Sequence, residues 1–306
     1  MRHGRYLATA LAFSLLTGGA LTAGPASAAP AAQAVQAGQG QVTKELRALE
    51  ASFKGRIGAY AIDTGTGRTI AYRSGESFPL LSTFKAVACA AALNKARTSE
   101  PGLMAKVVHW TSAEVKENSP ATEKHVRDGM TVSALCEAAI TLSDNTAGNM
   151  VLKQIGGPAG LTRYFRTLKD PVSRLDRWET ELNDWTPKEK RDTTTPAAMG
   201  RDLRALTTGS ALTAKDRKTL NAWLKANQTG DARIRAGLPP SWTVGDKTGA
   251  NVPAGLTNDV AVVWPGKSAA PIILSIYTNR SASDADASNQ AIAKTATILA
   301  RGLGKL

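Results

Sequence analysis

Asp259-Val260-Ala261-Val262-Val263-Trp264 and Ile272-Ile273-Leu274-Ser275-Ile276-Tyr277-Thr278 stand either side of Pro265-Gly266. Both runs are short and rich in β-branched and aromatic residues, and a Pro-Gly pair is turn chemistry, so they read as neighbouring strands. Trp242 to Lys247 reads as a third. Earlier in the chain, Ile57 to Asp63 and Thr69 to Arg73 have strand character around Thr64-Gly65-Thr66-Gly67, a hairpin signal. Helical patterns fill the middle, near 83–97, 131–142, 145–155, 158–168, 196–207 and 213–226, several opening with Thr, Ser, Asn or Pro. Val42 to Phe53 and Ala287 to Leu303 read as helices at the two ends. Strands at both ends of the chain with helices between predict an α+β fold. It would be an antiparallel sheet flanked by N- and C-terminal helices, with an all-helical domain inserted. The expected division is 42–73 plus 213–306 for the sheet domain and 74–212 for the helical one, with a cleft at their junction. Between Leu168 and Pro196 lies a segment of little periodicity, rich in charge and tryptophan, and a loop that long is usually functional.

Residues 1–28 have the pattern of a secretory signal: Arg2 and Arg5, an apolar run from Leu7 to Leu16, then Ala26-Ser27-Ala28. The run is too short and too quickly broken by glycine and proline for a membrane span. Cleavage after Ala28 would leave a flexible mature N-terminus, 29–41, and a secreted protein, extracellular or periplasmic. The formal charge is +13. Basic residues are scattered among acidic ones, with no long Lys/Arg run and no aromatic RNA-binding motif, so nucleic acid is a poor partner. His109 and His125 are the histidines beyond the signal, and neither a His-Glu-x-x-His nor a paired Cys-x-x-Cys pattern is present, so no metal or other cofactor is expected. The same shortage weakens a Ser-His-Asp triad. Cys89 and Cys136 are the whole cysteine complement; they read as one disulfide in an exported protein or as two buried thiols.

Chemistry concentrates in four short stretches. In Ser82-Thr83-Phe84-Lys85 a hydroxyl and an amine lie one helical turn apart, and a lysine kept partly neutral could take the serine's proton. Ser143-Asp144-Asn145 sits between two predicted helices. Glu179-Thr180-Glu181-Leu182-Asn183 occupies the long loop. Lys247-Thr248-Gly249 ends a predicted strand, where Gly249 would let a ligand approach the backbone. Taken singly, each could be a turn or a solvated loop. Together, in this order and on these elements, they form a constellation.

Over the stretch from Val42 to Leu306 the chain resembles the class A β-lactamases, whose signatures include Ser-x-x-Lys, Ser-Asp-Asn and Lys-Thr-Gly. The resemblance implies a β-lactamase/transpeptidase-like fold and a loop of Ω type over about 174–194, its neck closed by an ion pair of Arg177 with Asp192. It implies that Ser82 attacks the lactam carbonyl to form an acyl-enzyme. The N–H groups of Ser82 and Ala250 would form the oxyanion hole. Lys85, or Glu179 through a water, would be the base, and Ser143 would pass a proton to the leaving nitrogen. Glu179 with Asn183 would hold the deacylating water. Asn145 would bind the substrate's side-chain amide, and Lys247, Thr248 and Arg233 its carboxylate. Cys89 and Cys136 fall where some members carry a disulfide.

Departures from the family pattern are local. Arg233 stands in for an arginine that other members place on the strand after Lys-Thr-Gly, where this chain reads Gly255-Leu256-Thr257. Asn118 replaces a common aromatic before Ser-Pro. Leu81 precedes the nucleophile, so the active-site disulfide of some carbapenem-hydrolysing members cannot form. The expectation is a secreted, monomeric serine hydrolase of penicillins and cephalosporins that confers antibiotic resistance and whose partners are β-lactam small molecules. A penicillin-binding D,D-peptidase is the nearest alternative, and a non-catalytic β-lactam-binding protein the next. The glutamate-loop motif argues against the first, and the intact set Ser82, Lys85, Ser143, Glu179 and Lys247 against the second.

Overall fold

The computed structural model describes residues 1, 4, 28–266, 269–281 and 283–306. The signal-peptide reading falls on residues outside these. Two compact units are distinguished, Met1–Gln36 and Ala37–Leu306, and the second holds the sheet and the helices packed on it. In chain order the elements are α1 (Ala28–Phe53), β1 (Gly55–Asp63), β2 (Thr69–Tyr72), β3 (Phe78–Pro79), α2 (Phe84–Thr98), β4 (Val107–Val108), β5 (Met130–Thr131), α3 (Val132–Thr141), α4 (Asn145–Gln154), α5 (Gly157–Thr167), β6 (Thr193–Thr194), α6 (Pro196–Thr207), α7 (Ala214–Lys225), β7 (Thr243–Asn251), β8 (Leu256–Trp264), β9 (Ile272–Arg280) and α8 (Ala285–Gly302).

Five strands form one antiparallel sheet in the order β2-β1-β9-β8-β7, so the two ends of the chain meet where β1 pairs with β9. The α+β expectation holds. The hairpin between β1 and β2 is closed by chemistry local to the turn. Asp63 accepts from Gly65 N–H (3.0 Å) and from the Thr66 hydroxyl (2.8 Å), and Gly67 takes φ +74°, open to a residue without Cβ.

Apolar side chains alternate across the sheet into two cores. Val260, Val262, Ile273 and Tyr277 share a core with Met199 and Leu203 of α6, the helix laid across β1, β8 and β9, and with Phe84 at the start of α2. Ala261, Val263, Ile272, Leu274 and Ile276 pack towards α1 and α8, with Leu46, Ile292 and Leu299. Burial on both faces explains why β8 and β9 read as nearly unbroken apolar runs although the sheet is antiparallel. Helix α7 gives Leu220, Trp223 and Leu224 to the first of these cores.

Two boundaries differ from the sequence reading. Helix α1 begins at Ala28, well before Val42, because the Ala- and Gln-rich stretch that reads as a tail is made of strong helix formers. Within it the Gln39 carboxamide donates to Ala71 O (2.8 Å) and accepts from Ala71 N–H (3.0 Å), which satisfies the open edge of β2. Strand β7 runs on to Asn251, so Lys247-Thr248-Gly249 lies inside a strand rather than at its end. The cysteines are free and buried, on α2 and α3, and burial pushes the Cys136 thiol up.

Behind the long loop, Asp170 and Asp202 are both buried, and one carboxyl oxygen of each has no hydrogen-bond donor among the described residues. A proton shared between them satisfies both. Burial first, then the charge of Asp170 and its hydrogen bond, push Asp202 up to about 9. The unfolded chain releases that proton near pH 4 while the folded chain keeps it, so stability falls as pH rises from about 4 towards about 9. Asp202→Asn has no proton to lose. It is expected to be more stable than the parent by about 1–3 kcal/mol at pH 8, with a smaller gain at pH 5, in paired thermal melts.

Candidate active site

The site lies where β7 passes the start of α2, between the sheet and the helices. Leu81, in the left-handed region at φ +47°, turns the chain so that Ser82 sits at the front of α2. That conformation costs an L residue about 1–2 kcal/mol and is held from outside. Gly249 provides the room: a Cβ there would lie 2.9 Å from Leu81 Cβ and 3.2 Å from Ser82 N. The turn that carries Ser82 needs this glycine.

Lys85 is fully buried one turn below Ser82. Its Nζ donates to Ser82 Oγ (2.9 Å), Ser143 O (2.8 Å) and Asn145 Oδ1 (2.7 Å), and it lies 2.9 Å from Glu179 Oε1. Gly148 of α4 leaves space for this side chain, since a Cβ there would stand 2.9 Å from Lys85 Cε. Ser82 Oγ donates to Glu179 Oε1 (3.1 Å), so one hydroxyl has both an amine and a carboxylate within reach.

Glu179 is itself buried and gripped from three sides. Asn149 of α4 accepts from Glu179 N–H (2.9 Å) and donates to Glu179 O (2.9 Å), and Asn183 donates to Glu179 Oε2 (2.8 Å). The Glu179–Thr180 peptide is cis. At the neck of the loop, Arg177 Nε pairs with Asp192 Oδ2 (2.6 Å), and Asp192 Oδ1 accepts the N–H groups of Asp176 (2.7 Å) and Arg177 (2.9 Å). The expected ion pair is present.

Ser143 takes φ +58° between α3 and α4. Asp144 fixes it there. Its buried carboxylate caps α4 through Ala147 N–H (2.8 Å) and accepts from Ala121 N–H, Thr122 N–H and the Thr122 hydroxyl (3.0, 3.0 and 2.8 Å). Asn145 donates to Glu117 O (2.9 Å), so its carboxamide is oriented with the oxygen on Lys85. From the sheet side, Lys247 Nζ donates to Ser143 Oγ (3.0 Å) and Thr248 O (2.7 Å). Burial, and next the charge of Lys85, hold this ammonium well below the usual lysine range. Asp246 beside it is held by Arg235 (2.7 Å) and Asn227.

Arg233 reaches the cleft from the connection after α7. Its guanidinium donates to Gly249 O (3.1 Å), Asn258 O (2.9 Å) and Asn289 Oδ1 (2.9 Å). Together with Ser82, Ser143, Asn145, Asn183, Thr248, Gly249, Ala250 and Asn118 it lines a cleft of about 570 Å³. The candidate residues of all four stretches meet here. Sequence reasoning gives no role to Asn149, Asp144 or Gly148, although Asn145 and Asn149, four apart, share a helix face, a pairing visible in sequence.

A serine hydroxyl held between a lysine and a carboxylate, a second serine on a lysine and an arginine-lined cleft are the parts of an acyl-transfer site. The model of the beta-lactamase enzyme family matches residues 41–303. The chain is a class A member of that family. It is 51% identical to the beta-lactamase AST-1 of Nocardia asteroides over 84% of its own length and 82% of that relative's. To the carbapenem-hydrolyzing beta-lactamase KPC of Klebsiella oxytoca it is 45% identical, over 86% of this chain and 89% of that one. The crystal structure of a beta-lactamase from Streptosporangium roseum superposes with a TM-score of 0.86 at 76% identity, covering 87% of this chain and all of that one. This β-lactamase is therefore a hydrolase acting on β-lactams, and its helices and antiparallel sheet are arranged as in those structures.

Proposed function

We propose that Ser82 opens the lactam ring of penicillins and cephalosporins and is then freed by a water held on Glu179 and Asn183. The observation that carries this reading is the contact of one hydroxyl, Ser82 Oγ, with both Lys85 Nζ and Glu179 Oε1. Glu179 can take the serine proton directly or through a water, and Lys85 can take it once it has passed one of its own protons to Glu179, 2.9 Å away. The N–H groups of Ser82 and Ala250 receive the developing oxyanion, a device worth about 3–4 kcal/mol per donor. Ser143 relays a proton to the leaving nitrogen, and its supplier is Lys247, whose burial and nearness to Lys85 make it a better proton donor than a free lysine. Asn145 binds the side-chain amide of the substrate, and Lys247, Thr248 and Arg233 its carboxylate. The helical and sheet domains are two walls around this cleft. A secreted monomer suffices for this reading, since all these groups come from one chain. The thiols of Cys89 and Cys136, on adjacent helices α2 and α3, are oxidised to a disulfide in the exported protein; denatured, unreduced enzyme is then expected to show no reactive thiol with Ellman's reagent.

A chromogenic cephalosporin tests the reading. Many turnovers per enzyme support it. A single stoichiometric burst would instead indicate a penicillin-binding protein, and no acylation a binder. Arg233→Gln removes a charge that meets substrate and transition state alike. KM for penicillins should rise roughly tenfold with kcat little changed, as steady-state kinetics will read.

A further inference from the structure

Thr248 lines the cleft from β7, and its Oγ1 lies 2.5 Å from Thr229 Oγ1, on the connection after α7. The contacts continue to the buried Asn227. Its Oδ1 accepts from the Thr229 hydroxyl (2.9 Å) and from Thr229 N–H (3.2 Å), and its Nδ2 donates to Asp246 Oδ2 (2.5 Å). Asp246 is in turn ion-paired with Arg235, and Gly230 gives its carboxylate room, since a Cβ there would overlap Asp246 Oδ2.

The direction of each hydrogen bond follows from which atoms can donate. A backbone N–H only donates, so the Asn227 atom beside Thr229 N is the amide oxygen, and the amide nitrogen turns to Asp246. An amide oxygen only accepts, so the Thr229 hydroxyl directs its single proton to Asn227. Thr229 Oγ1 is left as an acceptor, and the proton in its short contact with Thr248 comes from Thr248. The Thr248 hydroxyl therefore offers lone pairs to the cleft. That is the wrong polarity for a carboxylate, which needs a donor.

We propose that Thr229 is a positioning residue for the substrate carboxylate, a two-position switch that sets which way the Thr248 hydroxyl points. As the carboxylate arrives, the Thr248 proton turns into the cleft. The Thr229 proton turns from Asn227 Oδ1 to Thr248 Oγ1, which keeps a proton in the short contact, while Asn227 Oδ1 retains Thr229 N–H. Both hydroxyls only rotate; no covalent bond to hydrogen breaks. A charge-assisted hydrogen bond to the carboxylate is gained, and the neutral one from Thr229 to Asn227 is lost, so the switch opposes binding by part of what Thr248 contributes. The inference deepens the reading of Thr248 as a carboxylate ligand and rests on it.

Thr229 is exposed, so valine, of the same shape, can replace it without disturbing the core. In Thr229→Val the Thr248 proton has no competing acceptor. KM for benzylpenicillin should fall roughly threefold at unchanged kcat in steady-state kinetics, and Thr229→Ser should match the parent. A purely structural role predicts the opposite, a raised KM. Thr248→Val and the double variant complete a cycle, in which Thr229→Val should have no effect once the Thr248 hydroxyl is gone. An unchanged or raised KM in Thr229→Val overturns the switch, as does a fall that Thr229→Ser shares or that persists without the Thr248 hydroxyl. If Thr248→Val alone leaves KM unchanged, the carboxylate role of Thr248 fails, and the switch with it.

Discussion

Glu179→Ala should acylate and then stop. Ser82 keeps Lys85 at 2.9 Å and the cleft keeps its arginine, so a penicillin still reaches the serine and its ring still opens. The carboxylate that polarises the deacylating water is gone, and Asn183 alone holds a water without accepting its proton. General-base assistance contributes about 10²–10⁴-fold, so turnover should fall by about 10³ while the first equivalent is consumed. Intact-protein mass spectrometry then shows a penicilloyl adduct that persists for minutes or longer, and peptide mapping places it on Ser82. Free enzyme and undiminished turnover after mixing would remove Glu179 from the mechanism.

Lys85→Met should be worse, because it strikes both half-reactions. The thioether matches the volume of the lysine stem but leaves Ser143 O, Asn145 Oδ1 and Ser82 Oγ without their donor. It also leaves Glu179 fully buried without its cation, and breaking one side of a buried pair costs about 3–5 kcal/mol. Acylation should fall by about 10³ or more with a concurrent loss of melting temperature, whereas in Glu179→Ala acylation stays measurable and deacylation carries the larger loss. Pre-steady-state kinetics separate the two. If acylation by Lys85→Met stays within tenfold of the parent, Glu179 suffices as the acylation base.

The candidate catalytic groups were legible as a set because each is written in a short motif, and the structure brings those motifs to one cleft. The sheet was legible because Val260 to Trp264 and Ile272 to Thr278 are apolar on both faces and flank a turn. What escaped depends on contacts far apart in the chain. A glycine inside a strand pattern looks like an ending, and only the approach of Leu81 and Ser82 to Gly249 shows why β7 continues through it. An Ala- and Gln-rich leader is equally compatible with a tail and with a helix, and the Gln39–Ala71 pairing across the β2 edge is invisible in composition. Asn149 looks like any polar residue on a helix until the backbone of Glu179 arrives between its two amide atoms.

The sheet is a party wall between two apolar interiors, with the catalytic cleft on one side and α1 and α8 on the other. Substitutions that enlarge or reshape the cleft in the service of a new antibiotic lower stability on the cleft side. Compensation can be recruited from the far side, where stabilising substitutions in the core of Ile57, Ile292 and Leu299 touch no group of the cleft. Such pairs should rescue each other in melting temperature and add independently in rate, which gives the enzyme a reservoir of tolerance beyond the reach of its substrates.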